Sequence, residues 1–339
     1  MTAAEGVLAA MFVGLTAYVL FAGADFGAGV WDLFAGGTRR GRARRDLIEH
    51  SLAPVWEANH VWLIFVLVVL WTGFPPAFAA VASTLYIPLT LAALGMIARG
   101  SAFAFRKTVP SLGVQRFFGA AFAFSSFVTP FFLGAVVGGI ASGRVPPGIA
   151  AGDVVTSWLN PTSILGGLLA IGVCAYLAAV LLCGDADREV SAELAGYFRN
   201  RALVTAVVVG VVAAVGIVVL RADAPRLFDG LLHRGLPLMI VSALAGLASI
   251  VLLVRRRYVW ARVSGALAVV AVLWGWAAGQ YPYLLPQKVT IADAAASRTT
   301  LVTMLVSLLL GSLLLAPALG YLYVLFQRAD SRAASPTRH

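Results

Sequence analysis

Long apolar stretches, separated by short connections, recur along this chain of 339 residues. A helix that crosses the hydrocarbon core of a bilayer needs about 20 mainly apolar residues, because it must satisfy its own backbone hydrogen bonds there. The stretches that meet this requirement lie near residues 7–35, 54–73, 77–98, 117–140, 162–183, 202–220, 236–254, 260–279 and 300–326. The pattern predicts an all-α integral membrane protein with nine transmembrane helices.

The composition agrees with a membrane protein. With 60% hydrophobic and 12% charged residues, the chain has too little polar surface to cover a soluble globule of its size. A net charge of +10 does not indicate a nucleic-acid partner, because the basic residues fall in short clusters between apolar stretches. Cys174 and Cys183 lie in or at the end of one apolar stretch, which predicts buried thiols rather than a disulfide framework.

The distribution of basic residues predicts the orientation. Of the 25 Lys and Arg residues, 19 fall in alternate connections on one side, among them Arg99 directly after the third stretch. By the positive-inside rule that side is cytoplasmic, which places the N-terminus outside and the C-terminus inside.

The connections are too short to fold separately. Residues 1–326 are therefore predicted to form one polytopic membrane domain, and residues 327–339 a short, polar, disordered cytoplasmic tail.

Two carboxylates lie deep in apolar stretches. Asp25 occurs in the segment GADFGAG, about 14 Å from the cytoplasmic end of its helix. Glu57 occurs in SLAPVWEANHVWLIF. Asp46 and Glu49 resemble a capping box, so the second helix is expected to start at Asp46, bend at Pro54 and place Glu57 about 16 Å from its start. The two acids would then lie at similar depth.

Buried acids at matched depth on consecutive helices have two interpretations. They could form a proton-conducting pair, since an ionisable group inside a membrane is costly and is a functional hypothesis by default. They could equally accept hydrogen bonds from a Trp, an Asn or an Arg of a neighbouring helix and only fix helix packing. The sequence leaves both interpretations open.

Small residues and a single histidine surround these acids. Gly23 and Gly27 form a GxxxG motif, and Gly29 adds a further point of close approach, which predicts tight helix packing. His60 is the one histidine well inside an apolar stretch. A bis-histidine haem site needs two histidines inside the membrane. His60 is therefore expected to hydrogen-bond with Glu57 rather than to bind a metal.

Several motifs together resemble a known family. They are GADFGAG, an Arg-rich turn, SLAPVWEANHVWLIF, TGFPPAF, LNP before the fifth stretch and YPYLLP before the ninth. Over nearly its whole length the chain resembles subunit II of cytochrome bd-type quinol oxidases. Two departures are small: Glu57 stands where some members have Asp, and His60 where some have Gln.

The resemblance implies a fold of two four-helix bundles plus one peripheral helix in the bacterial cell membrane. It also implies a partner, subunit I, which carries haems b and d and the quinol-oxidising loop. This chain would bind no cofactor or metal alone and hold no catalytic residue. The resemblance leaves open whether a structural quinone or lipid is bound in this chain and whether the complex has a small accessory subunit.

The implied function is that of a haem-free subunit in a complex that oxidises quinol and reduces O2 to water. The chain would stabilise subunit I and contribute to cytoplasmic proton delivery through Asp25 and Glu57. The expected hydrogen-bonding shell comprises Trp56, Asn59, His60 and Trp62. A proton-coupled secondary transporter is the main alternative, but the Gly/Pro-broken helix pair expected of one is not seen. A purely structural scaffold subunit is the other alternative.

Overall fold

The computed structural model describes residues 2–37, 41–52, 56–106 and 112–333, and this part of the chain is almost entirely helical. The first half contains α1 (Ala3–Leu33), α2 (Arg42–Leu52), α3 (Trp56–Gly73), α4 (Pro75–Thr84), α5 (Tyr86–Arg106) and α6 (Leu112–Ala141). The second half contains α7 (Pro161–Glu189), α8 (Ala192–Asp223), α9 (Pro225–Gly230), a π-helix (Leu231–Gly235), α10 (Leu236–Val254), α11 (Tyr258–Gln280), the hairpin β1 (Tyr283–Leu285) and β2 (Val289–Thr290), α12 (Ile291–Ala294) and α13 (Arg298–Ala333).

Many of these helices can cross a membrane. Within the described ranges, seven helical segments are long and apolar enough, or eight if the bent pair formed by α3 and α4 is one span. Large apolar side chains remain exposed along α8, α10 and α13, where a bilayer rather than water is the compatible solvent. The prediction of an all-α, multi-pass membrane protein is therefore confirmed.

The third predicted stretch, 77–98, is not one helix. It is divided between α4 and α5, which meet at Leu85. Pro88 explains the break, because it has no N–H to donate to the carbonyl of Thr84 and its ring crowds that carbonyl. A second bend, of 120°, separates α3 from α4, where Pro75 starts the new helix.

Two boundaries differ from the sequence-based expectation. Helix α2 begins at Arg42, so Asp46 lies inside it and the predicted capping box at Asp46 is wrong. The expected bend at Pro54 lies outside the described residues. At the other end, α13 continues to Ala333 rather than stopping near residue 326, because extending an existing helix by one residue costs little.

Helix α1 is the centre of the packing. It contacts α3, α6 and α7 along its length. One buried apolar cluster surrounds its N-terminal half and includes Val7 and Phe12, and another surrounds Ala28 near its C-terminal end. Between them lies a smaller cluster that includes Tyr18 and Phe26. The two cysteines are free and buried, as predicted.

An ion pair fixes the connection between α6 and α7. Arg144 donates to both carboxylate oxygens of Asp223, at 3.0 and 2.6 Å, and Thr162 donates to Asp223 from its N–H and its hydroxyl. Asn160 caps α7 by accepting from the N–H of Ser163 at 2.9 Å. The ends of α7 and α8 are thereby held to the loop.

Candidate functional site

A buried ion pair lies beside the middle of the α1 packing surface. Asp25 on α1 and Arg99 on α5 are each only 2% exposed. Nη2 of Arg99 donates to Oδ1 of Asp25 at 2.8 Å and to the main-chain oxygen of Asp25 at 2.8 Å. Charge-assisted hydrogen bonds of this kind are short and strong, so the pair joins α1 to α5.

The other side of the Arg99 guanidinium is bound to α6. Nη1 of Arg99 donates to the hydroxyl of Ser126, which in turn donates to the carbonyl of Phe122 at 2.7 Å. The guanidinium carbon also lies 4.2 Å from the ring centroid of Phe122 and 5.1 Å from that of Phe26. Aromatic faces attract such a cation, so Arg99 of α5 is held by two other helices, α1 and α6.

Glycine makes room for this arrangement. A Cβ added at Gly29 would lie 2.7 Å from Cβ of Ser126 and 2.8 Å from Nη1 of Arg99, closer than real Cβ atoms approach. Two residues earlier, on another face of α1, a Cβ at Gly27 would collide with the main chain of Cys174 on α7. At Gly23 the nearest atom is a methyl carbon of Leu177, at 3.3 Å. Gly29 faces the ion pair, whereas Gly23 and Gly27 face α7.

One oxygen of the carboxylate remains open. Among the described residues, Oδ2 of Asp25 has no hydrogen-bond partner, although it is buried. Nδ1 of His60 is also buried without a partner in that part of the chain. The rings of His60 and Phe26 lie 6.2 Å apart, and the Phe26 ring in turn lies 5.1 Å from the guanidinium carbon of Arg99. Two polar atoms without partners thus occur in one neighbourhood.

The remaining predicted residues lie on α3. Nδ2 of Asn59 donates to the carbonyl of Phe21 on α1 at 3.4 Å, and Asn59 is 4% exposed. Trp62 is half-buried and packs against the cluster around Tyr18. The side chains of Trp56 and Glu57 lie outside the described part of the structure, so the expected contact between Glu57 and His60 stays a prediction.

Arg99 was misassigned from the sequence. Its position directly after the predicted third stretch placed it among the basic residues of a cytoplasmic connection, whereas the structure buries it inside α5. The available signal was local: the segment MIARGSAFAF continues in apolar and small residues after Arg99. An arginine enclosed in this way needs a buried partner, and Asp25 is that partner.

Comparisons with known proteins agree with this fold and sequence. The family model described as cytochrome bd terminal oxidase subunit II matches residues 4–326. The chain is 30% identical over 169 residues to cytochrome bd ubiquinol oxidase subunit 2 of Bacillus subtilis, covering 50% of this chain and 48% of that protein. It is 26% identical over 175 residues to cytochrome bd-I ubiquinol oxidase subunit 2 of Escherichia coli, covering 50% of this chain and 45% of that protein.

The alignments thus span about half the length of these two relatives. The structural comparison covers nearly the whole length of both chains. The chain resembles a chain of the bd oxidase structure from Geobacillus thermodenitrificans with a TM-score of 0.76 and 26% identity, over 96% of this chain and 99% of that one. Because the family model matches nearly the whole sequence, the chain belongs to the cytochrome bd terminal oxidase subunit II family.

Proposed function

We propose that this chain is the haem-free subunit II of a cytochrome bd-type terminal oxidase in the bacterial cell membrane. The complex oxidises quinol and reduces O2 to water. The observation that carries the proposal is the joint agreement of sequence and fold: the family match and the structural match to a bd oxidase each extend over almost all of the chain. The relatives named as ubiquinol oxidase subunits support quinol as the reductant.

The proposal includes a partner that holds the haems. Haem iron in a membrane subunit is commonly held by His, Cys or Met side chains. In the described part of the chain, His60 lies inside an apolar helix with its ring against Phe26, whereas His233 lies in the π-helix near one end of a span. Among the described residues, no group of three His, Cys, Asp or Glu side chains is placed to hold a metal ion. This set of donors fits a subunit that supports a haem-bearing subunit I.

The proposed topology has nine crossings, arranged as two four-helix bundles and one peripheral helix. In the part of the chain that the structure describes, seven helical segments are long and apolar enough to cross. Helix α3 and the segment formed by α4 and α5 would supply the other two. An odd number of crossings agrees with an outside N-terminus and a cytoplasmic C-terminus, which is the orientation that the excess of basic residues favours.

Within the complex, Asp25 is proposed to take part in proton delivery from the cytoplasm. Reduction of O2 to water consumes protons, so a path across apolar helices is required. Oδ1 of Asp25 is fixed by Arg99, while Oδ2 has no partner among the described residues and is available to take up a proton. Glu57 is the proposed second carboxylate. Asn59, His60 and Trp62 lie on α3, which packs against α1, and are proposed to orient the path together with Trp56.

A structural role for Asp25 is favoured by a specific observation. Through Arg99 the carboxylate is linked to Ser126, so one network joins α1, α5 and α6. Removal of one partner from such a buried pair typically destabilises a protein by about 3–5 kcal/mol, because the other charge is left uncompensated. The two roles are compatible, since they use different oxygens of one carboxylate.

Purification through an affinity tag on this chain tests the proposed function. The chain should be recovered with a haem-bearing partner, the visible spectrum should contain b-type and d-type haem bands, and the complex should consume O2 when quinol is added. The chain expressed without its partner should bind no haem. Recovery of this chain alone, without haem and with proton-coupled solute uptake in vesicles, would instead identify a secondary transporter.

A further inference from the structure

A basic cleft opens where three transmembrane segments end on one side of the molecule. Helix α8 ends at Asp223, α10 begins at Leu236 and α11 ends at Gln280. The cleft has a volume of about 560 Å³ and lies between the α9 and π-helix segment and the hairpin that follows α11. Residues at the ends of apolar spans lie at the depth of lipid headgroups. The cleft is therefore at the boundary between bilayer and water.

Two close glycine contacts join the π-helix region to α11, and the one between Gly230 and Gly279 lies in the cleft lining. A Cβ at Gly230 would collide with the carbonyl oxygen of Gly279, and a Cβ at Gly235 would lie 2.9 Å from that of Gly275. The main chain of α11 therefore runs directly against the π-helix. Gly230 precedes this π-helix, and Gly235 is its last residue. Single-turn π-helices are rare and occur frequently at functional sites. The geometry of the cleft floor is fixed by backbone contacts rather than by mobile side chains.

Most of the charged side chains in the cleft lining are basic. Arg226, His233 and Arg234 contribute to it, with Asp229 as the one acidic residue in the lining. Arg234 donates to the carbonyl of Tyr281, and its guanidinium carbon lies 5.9 Å from the centroid of that ring. The second arginine, Arg226, is exposed. The lining holds two guanidinium groups and one carboxylate, and the carboxylate of Glu5 accepts from the Tyr281 hydroxyl at 3.0 Å beside it, so the arginines offer several N–H donors to a ligand.

We propose that this cleft binds the phosphodiester headgroup of an anionic lipid, with Arg226 and Arg234 as the phosphate ligands. Guanidinium groups match phosphate oxygens in shape and charge. The exposed apolar faces of α8 and α10 lie below the cleft and would contact the acyl chains. Tyr281 and Tyr283 line the cleft at the level where tyrosine is enriched in membrane proteins. A neutral quinone could accept hydrogen bonds from the two arginines but carries no charge to pair with them, whereas a phosphodiester does both, so the guanidinium groups favour the phosphate.

Lipid binding to the full-length chain, purified with the partners that it retains, tests this proposal. The complex is delipidated in detergent, and retention of added phosphatidylglycerol is measured by native mass spectrometry against phosphatidylcholine. Wild type should retain phosphatidylglycerol preferentially. Each basic residue near a membrane surface contributes about 1 kcal/mol to anionic lipid binding, so the variant Arg226→Gln/Arg234→Gln should bind phosphatidylglycerol about tenfold to thirtyfold more weakly.

The matched control is Arg298→Gln, an exposed arginine at the start of α13 that does not line the cleft. It should retain lipid as the wild type does. Inorganic phosphate, added alone, distinguishes the two sources of this chemistry: competition at millimolar concentration identifies a free-phosphate site, and no competition identifies a headgroup that also needs its acyl chains. Equal retention of the two lipids by the wild type, or unchanged retention in the double variant, would overturn the proposal.

Discussion

Asp25 on α1 and Arg99 on α5 form a buried ion pair in which Nη2 of the arginine lies 2.8 Å from Oδ1 of the carboxylate. The two residues are 74 positions apart in the sequence. Because neither charge is accessible to water, each depends on the other for compensation. The pair therefore couples the position of α5 to that of α1, and Oδ2 of the carboxylate has no hydrogen-bond partner among the described residues.

Loss of Arg99 should reduce assembly more than loss of both charges. Arg99→Met leaves the Asp25 carboxylate buried without its cation, which is expected to cost about 3–5 kcal/mol. In Asp25→Asn/Arg99→Met no buried charge is left, so assembly should recover much of this loss. The measurement is the thermal stability and yield of the purified complex. A double variant that is less stable than Arg99→Met would contradict the compensation argument.

Gly29→Ala should disturb the ion pair without changing any charge. The added methyl group would press on Ser126 and the guanidinium of Arg99, and overpacking of this kind costs about 1–3 kcal/mol. Gly246→Ala on α10 is the matched control, because nothing lies within 4 Å of an added Cβ there. We expect a lower melting temperature for Gly29→Ala alone. Equal melting temperatures for the two variants would show that α1 and α6 shift to accept the methyl group.

Helix content was largely predictable from the sequence, because apolar length is the dominant constraint in a bilayer. The break between α4 and α5 was missed although Pro88 was visible, since prolines are tolerated in many transmembrane helices and hydropathy does not register a bend. Asp25 was identified because a carboxylate in an apolar stretch is conspicuous.

Arg99 was missed because a basic residue at the end of an apolar stretch is ordinarily a topological signal. Its burial depends on where α5 ends and on which helix lies opposite, and both are properties of the tertiary structure. For Gly29 the sequence predicted close helix packing but not the packing partner. That its neighbour is a guanidinium, whereas Gly27 faces the α7 backbone, required the three-dimensional arrangement.

The orientation of the chain can be tested directly. A reporter enzyme fused after residue 328 should report a cytoplasmic location, because most of the Lys and Arg residues lie in connections on that side. A second fusion, in the connection between α6 and α7, should report the opposite side. A periplasmic signal after residue 328 would reverse the topology and remove the argument that Asp25 faces the cytoplasmic proton supply.

Substitutions of Glu57 can distinguish a role that needs an ionisable side chain from a role that needs only its size and hydrogen bonds. Glu57→Gln retains the size of the side chain but cannot ionise, so the complex should assemble with its haems while quinol-driven O2 consumption falls by at least about tenfold. Glu57→Asp should retain more activity, since the group remains titratable. The rates are compared per haem. If the amide is tolerated and the shorter acid prevents assembly, Glu57 is a structural residue.

The most direct test of the account is the turnover of a complex in which the buried pair has been neutralised on both sides. Asp25→Asn/Arg99→Gln removes both charges but keeps hydrogen-bonding groups of similar size, so the complex should assemble with a normal haem content. We predict that quinol-driven O2 consumption per haem falls by at least about tenfold, which corresponds to about 1.4 kcal/mol of added barrier. Wild-type turnover per haem in this variant would contradict proton transfer through Asp25 and leave the ion pair with a structural role alone.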